Sequence, residues 1–521
     1  MALMVLAGVD AQTSPELPRI VVNIVVDQLR TDYLEAFAPL YGEDGFKRLM
    51  REARYYNDCQ QPFRTPDRAS ASACMITGAV PFDNGIPALS WLSRQTLQPV
   101  FCVDDSRYAG HQTHEKTSPA SLLTTTLSDE LEMATGQLSM VISIAPERDM
   151  AVLLAGHIAD GAYWLNDQIG AWSGTTYYGK DYPYWADVYG RSEGLAQRIG
   201  KMEWTPWWDG ALGDFHYFHS ASSEKTKPFE HKFAGDRRYR QLKSSALVND
   251  EVAQFVDACL AGCAIGRDRT PDLLNIGLYA GNFDHQSVVS HPAEMQDTYV
   301  RLDHAIARIL KSVEAVTGKE HMLVVVSSTG YADSDAADID FASYRIPTGT
   351  FSMARAAMLL NMYLSALYGQ AQYVEATYGG QIYLDHTLIE QRQLNIVEVL
   401  TRSEDFLSQM SGVREIYTSQ RLIIDAWADG INRVRAGWNA SCSGDILIEV
   451  NPGWRVEAEN GRTYVSAGQA YTAYPLFFLG ANVVSERIST PVSAAAIAPT
   501  LSQCLRIRAP NGSREAPLVL K

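Results

Sequence analysis

The last 135 residues of this 521-residue chain contain no histidine, the final one being His386. The segment from Thr463 to Gly480, TYVSAGQAYTAYPLFFLG, therefore offers no imidazole as base or metal ligand. Cysteine is sparse too. Cys59, Cys74, Cys102, Cys259, Cys263, Cys442 and Cys504 are scattered and odd in number, which excludes zinc-knuckle spacing and leaves any disulfide pairing undetermined. No run reaches the ~18–20 apolar residues that a membrane span requires. Internal repeats and low-complexity tracts are absent. Positive charge is in deficit: the formal net charge of -16 argues against a general nucleic-acid or anionic-membrane surface, because phosphates are held by clustered Lys and Arg. The local basic stretch DRRYRQLK at 236–243 reads as solvated helix surface.

With 46% hydrophobic and 20% charged residues, the chain can bury a large core, and disorder is excluded. At the amino terminus an apolar run followed by Val9, Asp10 and Ala11 reads as the tail of a secretory signal cleaved after Ala11, although the positive n-region is missing. Residues 1–11 are accordingly expected to be a signal-peptide remnant and the product to be periplasmic or exported, in the Gram-negative manner.

RIVVNIVVD at 19–27 is a β-branched run ending in a carboxylate, as in the central strand of a parallel sheet. LLNIGLYAGN at 273–282 and MLVVVSSTG at 322–330 repeat the pattern. Between them, residues 293–318 carry apolar residues at helical spacing up to Gly318. Strand, helix, strand is a βαβ crossover, and such sheets bind ligands beyond the carboxyl ends of their strands, which points to Asp27, Asn282, Thr329 and Gly330. A helical stretch near 352–412 and a closing strand near 474–480 are expected to complete the sheet. Residues 158–245 are rich in aromatics (Tyr163, Trp164, Trp172, Trp185, Trp204, Trp207, Trp208, Phe215, Tyr217 among them) and read as an inserted cap, either a stacking surface or internal packing. The expected fold is an α/β/α sandwich on a mostly parallel sheet, with a core of 18–157 and 246–521 and the cap at 158–245.

The segments IVVDQLRTDYL (24–34), ITGAVPFDNGI (76–86), AVLLAGHIADGAYW (151–164), PDLL (271–274), QDTYVRLD (296–303), LYG (367–369) and VNPGW (450–454) resemble the PafA-like branch of the alkaline-phosphatase superfamily, close to the nucleotide pyrophosphatases/phosphodiesterases. The resemblance implies an alkaline-phosphatase-like fold and two-zinc phosphoryl transfer by a Thr or Ser nucleophile, with added cations on the phosphate. Several residues depart from it. The first-strand carboxylate, Asp27, is present. The nucleophile position falls on Arg68, with Thr65 and Ser70 as fallbacks. Positions of a family Asp and His become Asn282 and Gln286, a strand-end Asp-His pair becomes Thr329 and Gly330, and a last histidine falls on Ala473. A phosphate-holding Lys-x-Arg becomes Glu147 and Asp149, and an Asn becomes Leu89. His157 matches a residue outside the ligand set.

These departures lead to the expectation of a noncatalytic pseudophosphatase of the cell envelope, without cofactor, binding a protein partner through the former cleft or the cap. Arg68 would then pair with Asp27 in place of a metal. Two alternatives stand beside it. One is an active phosphomonoesterase or phosphodiesterase with a rearranged zinc site drawn from Asp27, Asp284, His285 and His291, with Asp333 and Asp335 nearby. The other is a glycan-binding module built on the cap.

Overall fold

The computed structural model describes residues 16–207, 228–286, 288, 290–333, 345–424, 429–457, 463–465 and 473–521. The expected signal remnant at 1–11, the cap aromatics Trp208, Phe215, Tyr217 and Phe218, and Asp335 lie outside them. Among the described residues no helix is long and apolar enough to cross a membrane.

An 11-stranded sheet organises the chain. In chain order its strands are β1 (Ile20–Asp27), β2 (Arg54–Gln60), β3 (Gly110–His111), β4 (Val141–Ala145), β5 (Gly161–Leu165), β6 (Trp172–Thr175), β7 (Asp272–Tyr279), β8 (Met322–Ser328), β9 (Tyr474–Gly480), β10 (Glu486–Ile488) and β11 (Val492–Ser493). Their spatial order is β10-β2-β9-β8-β1-β7-β4-β5-β6-β3, with β11 beside β2. The central run from β8 to β5 is parallel, and β9 enters antiparallel. β1 is a nearly continuous apolar run because both its faces are covered: Ile20, Val22, Ile24 and Val26 enter one core cluster, Val21 and Val25 the other. Its one polar interior residue, Asn23, donates to Asn275 Oδ1 at 2.9 Å across the register, while its own Oδ1 is buried without a partner among the described residues. The crossover helix between β7 and β8 is α5 in the chain-order series α1 (Arg68–Thr77), α2 (Leu127–Thr135), α3 (Arg148–Ala155), α4 (Leu247–Gly262) and α5 (Pro292–Thr317).

Two expectations about organisation change. The 158–245 stretch does not stand apart from the sheet, since β5 and β6 are two of its strands. Several of its rings turn inward: Trp172 stacks on Phe255 at 4.1 Å and 5°, and Tyr163 meets Trp185 and Phe255 edge-on, while Tyr184 and Trp207 are exposed. The helical stretch near 352–412 is present as the helices Met353–Tyr368 and Ile396–Leu407, and the closing strand as β9, but these helices pack on a sheet of their own and not on the main one. Strands Val374–Tyr378, Gln381–Leu384, Val413–Thr418 and Ile446–Val450 form an antiparallel four-stranded sheet with a separate core around Leu360, Tyr373 and Val399. Strict alternation in ILIEV, buried at every second residue, is the half-buried strand pattern.

Candidate active site

Register brings the carboxyl ends of β1, β7 and β8 level, with Asp27 opposite Tyr279 and Val26 opposite Ser328. Asp27, Asn282, Thr329 and Gly330 therefore meet where the parallel sheet ends. Asp27 is buried. One carboxylate oxygen accepts from the Thr329 hydroxyl at 2.9 Å and the other from the Tyr331 hydroxyl at 3.3 Å. Burial pushes its carboxyl up to about 6, against the opposing pull of Arg68 and the Thr329 hydroxyl. Gln28 follows with φ +65; its N–H donates to Thr329 Oγ1 and its Oε1 accepts from Asp333 N at 2.9 Å. Gly330 sits at φ +76, where a Cβ would lie 2.5 Å from the Tyr474 ring, so the position behind Thr329 admits only glycine.

Arg68 opens α1. Asp67 caps this helix through a reciprocal box with Ser70, in which each side chain bonds the other's backbone N–H. A cation in the first turn opposes the helix dipole, so Arg68 depends on other partners. It has three carboxylates. Nε and Nη2 donate to the two oxygens of Asp149, both at 2.9 Å, while Glu147 lies at 3.6 Å and Asp27 at 3.7 Å. Asp149, Asp27 and the Arg68 side chain are all largely withdrawn from solvent. The expected Arg68 to Asp27 pairing is present, but it is the longest of these contacts. Asp149 is the bidentate partner, so the acidic residues at 147 and 149 bind the cation from α1 instead of standing free against phosphate.

The network continues through Lys243, which contacts Glu147 at 2.9 Å and Asp167 at 2.6 Å. Although burial opposes ionisation of Glu147, Lys243 and Arg68 hold its carboxyl down at about 2. Lys243 belongs to the stretch expected to be solvated surface; that reading holds for Asp236, Arg237 and Arg240, which are exposed, and is corrected for Tyr239, Leu242 and Lys243, the buried residues of the helix Arg238–Lys243. Their spacing of three and four residues was the available signal. Tyr331 and Gln28 were also missed, for want of any sequence pattern.

The remaining positions separate. Thr65, at φ +59, is exposed and donates to Arg64 O, while Ser70 is buried in the capping box. Neither hydroxyl is free as a nucleophile. Leu89 donates its N–H to Asp67 and packs against the core. Ala473 precedes β9, with its carbonyl accepting from Thr31 N. Asn282 is buried, with its carbonyl taken by the Tyr279 hydroxyl, whereas Gln286 is exposed. His157 is structural, spanning Asp129 and Leu122 O.

The fallback metal donors are not gathered. Asp284 pairs with Arg237 at 2.7 Å, His285 Nδ1 with Asp333 at 2.9 Å, and His291, which precedes α5 without a side-chain capping bond, packs against Phe283. Among the described residues no three His, Cys, Asp or Glu side chains are placed to hold a metal. With an Arg occupying Asp27, and amides, a hydroxyl, a glycine and an alanine at the other positions, this donor set does not fit a two-zinc centre. What the site does hold is a His285–Asp333 dyad. The hydrogen bond and charge of Asp333 raise the imidazole above its ordinary range. Asp284 and His285 are consecutive non-glycine residues at φ +48 and +54, a strained arrangement of the kind found at functional sites.

Residues 21–472 match the family described as type I phosphodiesterase / nucleotide pyrophosphatase. The chain is 29% identical to a Myroides odoratus protein named calcium-transporting ATPase, over 96% of this chain and 94% of that protein. It is 27% identical to alkaline phosphatase PafA of Elizabethkingia meningoseptica, over 99% of this chain and 97% of the relative. A crystal structure of wild-type PafA superposes with a TM-score of 0.84 at 25% identity, covering 98% of this chain and all of the other, which establishes the alkaline-phosphatase-like fold. These matches overturn the expectation of a noncatalytic scaffold. The chain aligns from end to end with a protein named as a phosphatase, and the hydrolase alternative is the better supported.

Proposed function

The chain belongs to the type I phosphodiesterase / nucleotide pyrophosphatase family, and on that premise we propose that it hydrolyses phosphate mono- or diesters through a rearranged site. The observation that carries this reading is the match to an alkaline phosphatase over 99% of the chain. The rearrangement follows from Arg68, which has no hydroxyl and so excludes a phosphoryl-enzyme at that position, and from Thr65 and Ser70, whose hydroxyls are committed elsewhere.

Water is the nucleophile in this proposal. His285, oriented by Asp333 through Nδ1, accepts the water proton at Nε2 as the new P–O bond forms and the P–O bond to the leaving group breaks; the leaving oxyanion takes a proton from solvent, and His285 returns its own to solvent. Zinc enters no step.

Aryl phosphate mono- and diesters test this with the purified full chain. The parent is expected to turn over, His285→Ala and Asp333→Asn to lose on the order of 100-fold or more in kcat, and Thr65→Ala to match the parent. A parent without turnover, or His285→Ala at parental rate, refutes the reading.

A further inference from the structure

We propose that this chain carries a built-in cation at the end of β1, with the Arg68 guanidinium serving as the permanent counter-charge of Asp27 where the family resemblance implies a metal. The inference goes beyond hydrolysis and is tested without substrate.

Asp27, Asp149 and Glu147 converge on one guanidinium, at 3.7, 2.9 and 3.6 Å. Buried ionised carboxylates without a cation are strongly unfavourable, and three that converge on one point favour a positive charge there, which a side chain or a metal ion can supply. Here the side chain does so with directional bonds. The bidentate fork to Asp149 fixes the guanidinium plane and commits both Asp149 oxygens. Both Asp27 oxygens are already accepting from hydroxyls, those of Thr329 and Tyr331. Lys243 then neutralises Glu147 from the far side and is itself shared with Asp167. Along Asp27, Arg68, Glu147, Lys243 and Asp167 the sign alternates at each step.

This arrangement works against a divalent ion at Asp27. Such an ion would have to approach a fixed guanidinium, take Asp27 oxygens from two hydroxyl donors, and find further ligands where the chain offers Thr329, Gly330 and Asn282. Arg68 leaves only if its pair with Asp149 breaks. The unfavourable first-turn position of the arginine points the same way, because three acidic partners offset what the helix dipole costs there.

Zinc content and charge coupling test the proposal. Full-length protein, dialysed against zinc and then against zinc-free buffer, is expected to retain well under one equivalent, and zinc at ~100 μM should leave Tm unmoved within about 1 °C. Arg68→Gln should lower the urea midpoint, and Arg68→Gln with Asp149→Asn should recover most of that loss, because the pair removes both charges together. Stoichiometric zinc in the intact chain, or single effects that merely add in the double variant, overturns the proposal. The zinc measurement needs no variant and decides the matter even where Arg68→Gln does not fold.

Discussion

Raising the pH should destabilise this protein through Glu132, and Glu132→Gln should remove much of that sensitivity. Glu132 lies on α2 beneath the amino ends of β4 and β7. It is 3% exposed, and its Oε1 has no hydrogen-bond partner among the described residues. Burial, with repulsion from Asp160 and Asp272, pushes its carboxyl up to about 7. Asp272 is raised to about 6, again chiefly by burial, although it accepts from Gly266 N and Met140 N. Because these folded-state values exceed those of the unfolded chain, the folded protein binds more protons across this range, and unfolding free energy falls as pH rises from about 4 to 7. For Glu132 a displacement from 4.5 to about 7 corresponds to up to about 3 kcal/mol. Asp272 shares part of the same repulsion, so the two together should contribute about 4 kcal/mol, less than their independent sum. Urea unfolding monitored by tryptophan fluorescence at pH 5 and pH 8 measures the slope. The parent should lose stability between them, and Glu132→Gln, which mimics the protonated acid, should be more stable than the parent at pH 8 and nearly equal to it at pH 5. A parent whose stability rises from pH 5 to 8, or a Glu132→Gln variant weaker at pH 8, would refute the reasoning.

Two substitutions examine the surroundings of the site. Ser70→Ala removes half of the capping box on α1 and should cost about 1 kcal/mol in urea unfolding while leaving ester hydrolysis at the parental rate; a loss of turnover without a loss of fold would make Ser70 the nucleophile. Trp172→Ala should cost about 3–5 kcal/mol, because its ring stacks on Phe255 and its indole N–H donates to Glu251 at 3.0 Å; a neutral effect would mean that these rings are not core, and would reopen the cap as a binding surface.

What could be read from the sequence depended on the range over which each pattern operates. The apolar run of β1 and the helical spacing before Gly318 are local, and they placed Asp27, Asn282 and Thr329 on one edge of a parallel sheet without any tertiary information. Counting back from the Thr77-Gly78 motif likewise put Arg68 near Asp27, because α1 is a continuous helix and admits no gap. The partner preference of Arg68 could not be counted. Asp149 lies 81 residues away, on a helix whose approach to α1 is set by the packing of Ala71 and Met75 with Val152 and Leu153 in one core cluster. Seen as sequence, Glu147 and Asp149 were two anions where cations belonged, and repulsion of phosphate followed. In space the same carboxylates are consumed by Arg68 and Lys243, so their charge is balanced inside the protein before any substrate arrives. The separate four-stranded sheet escaped for a related reason, since its strands are short and all but the first two are separated along the chain by helices, and the helix Met353–Tyr368 beside them gave the stronger periodic signal. A charge reversal at a former ligand position is therefore weak evidence of repulsion until its buried counter-ion has been located.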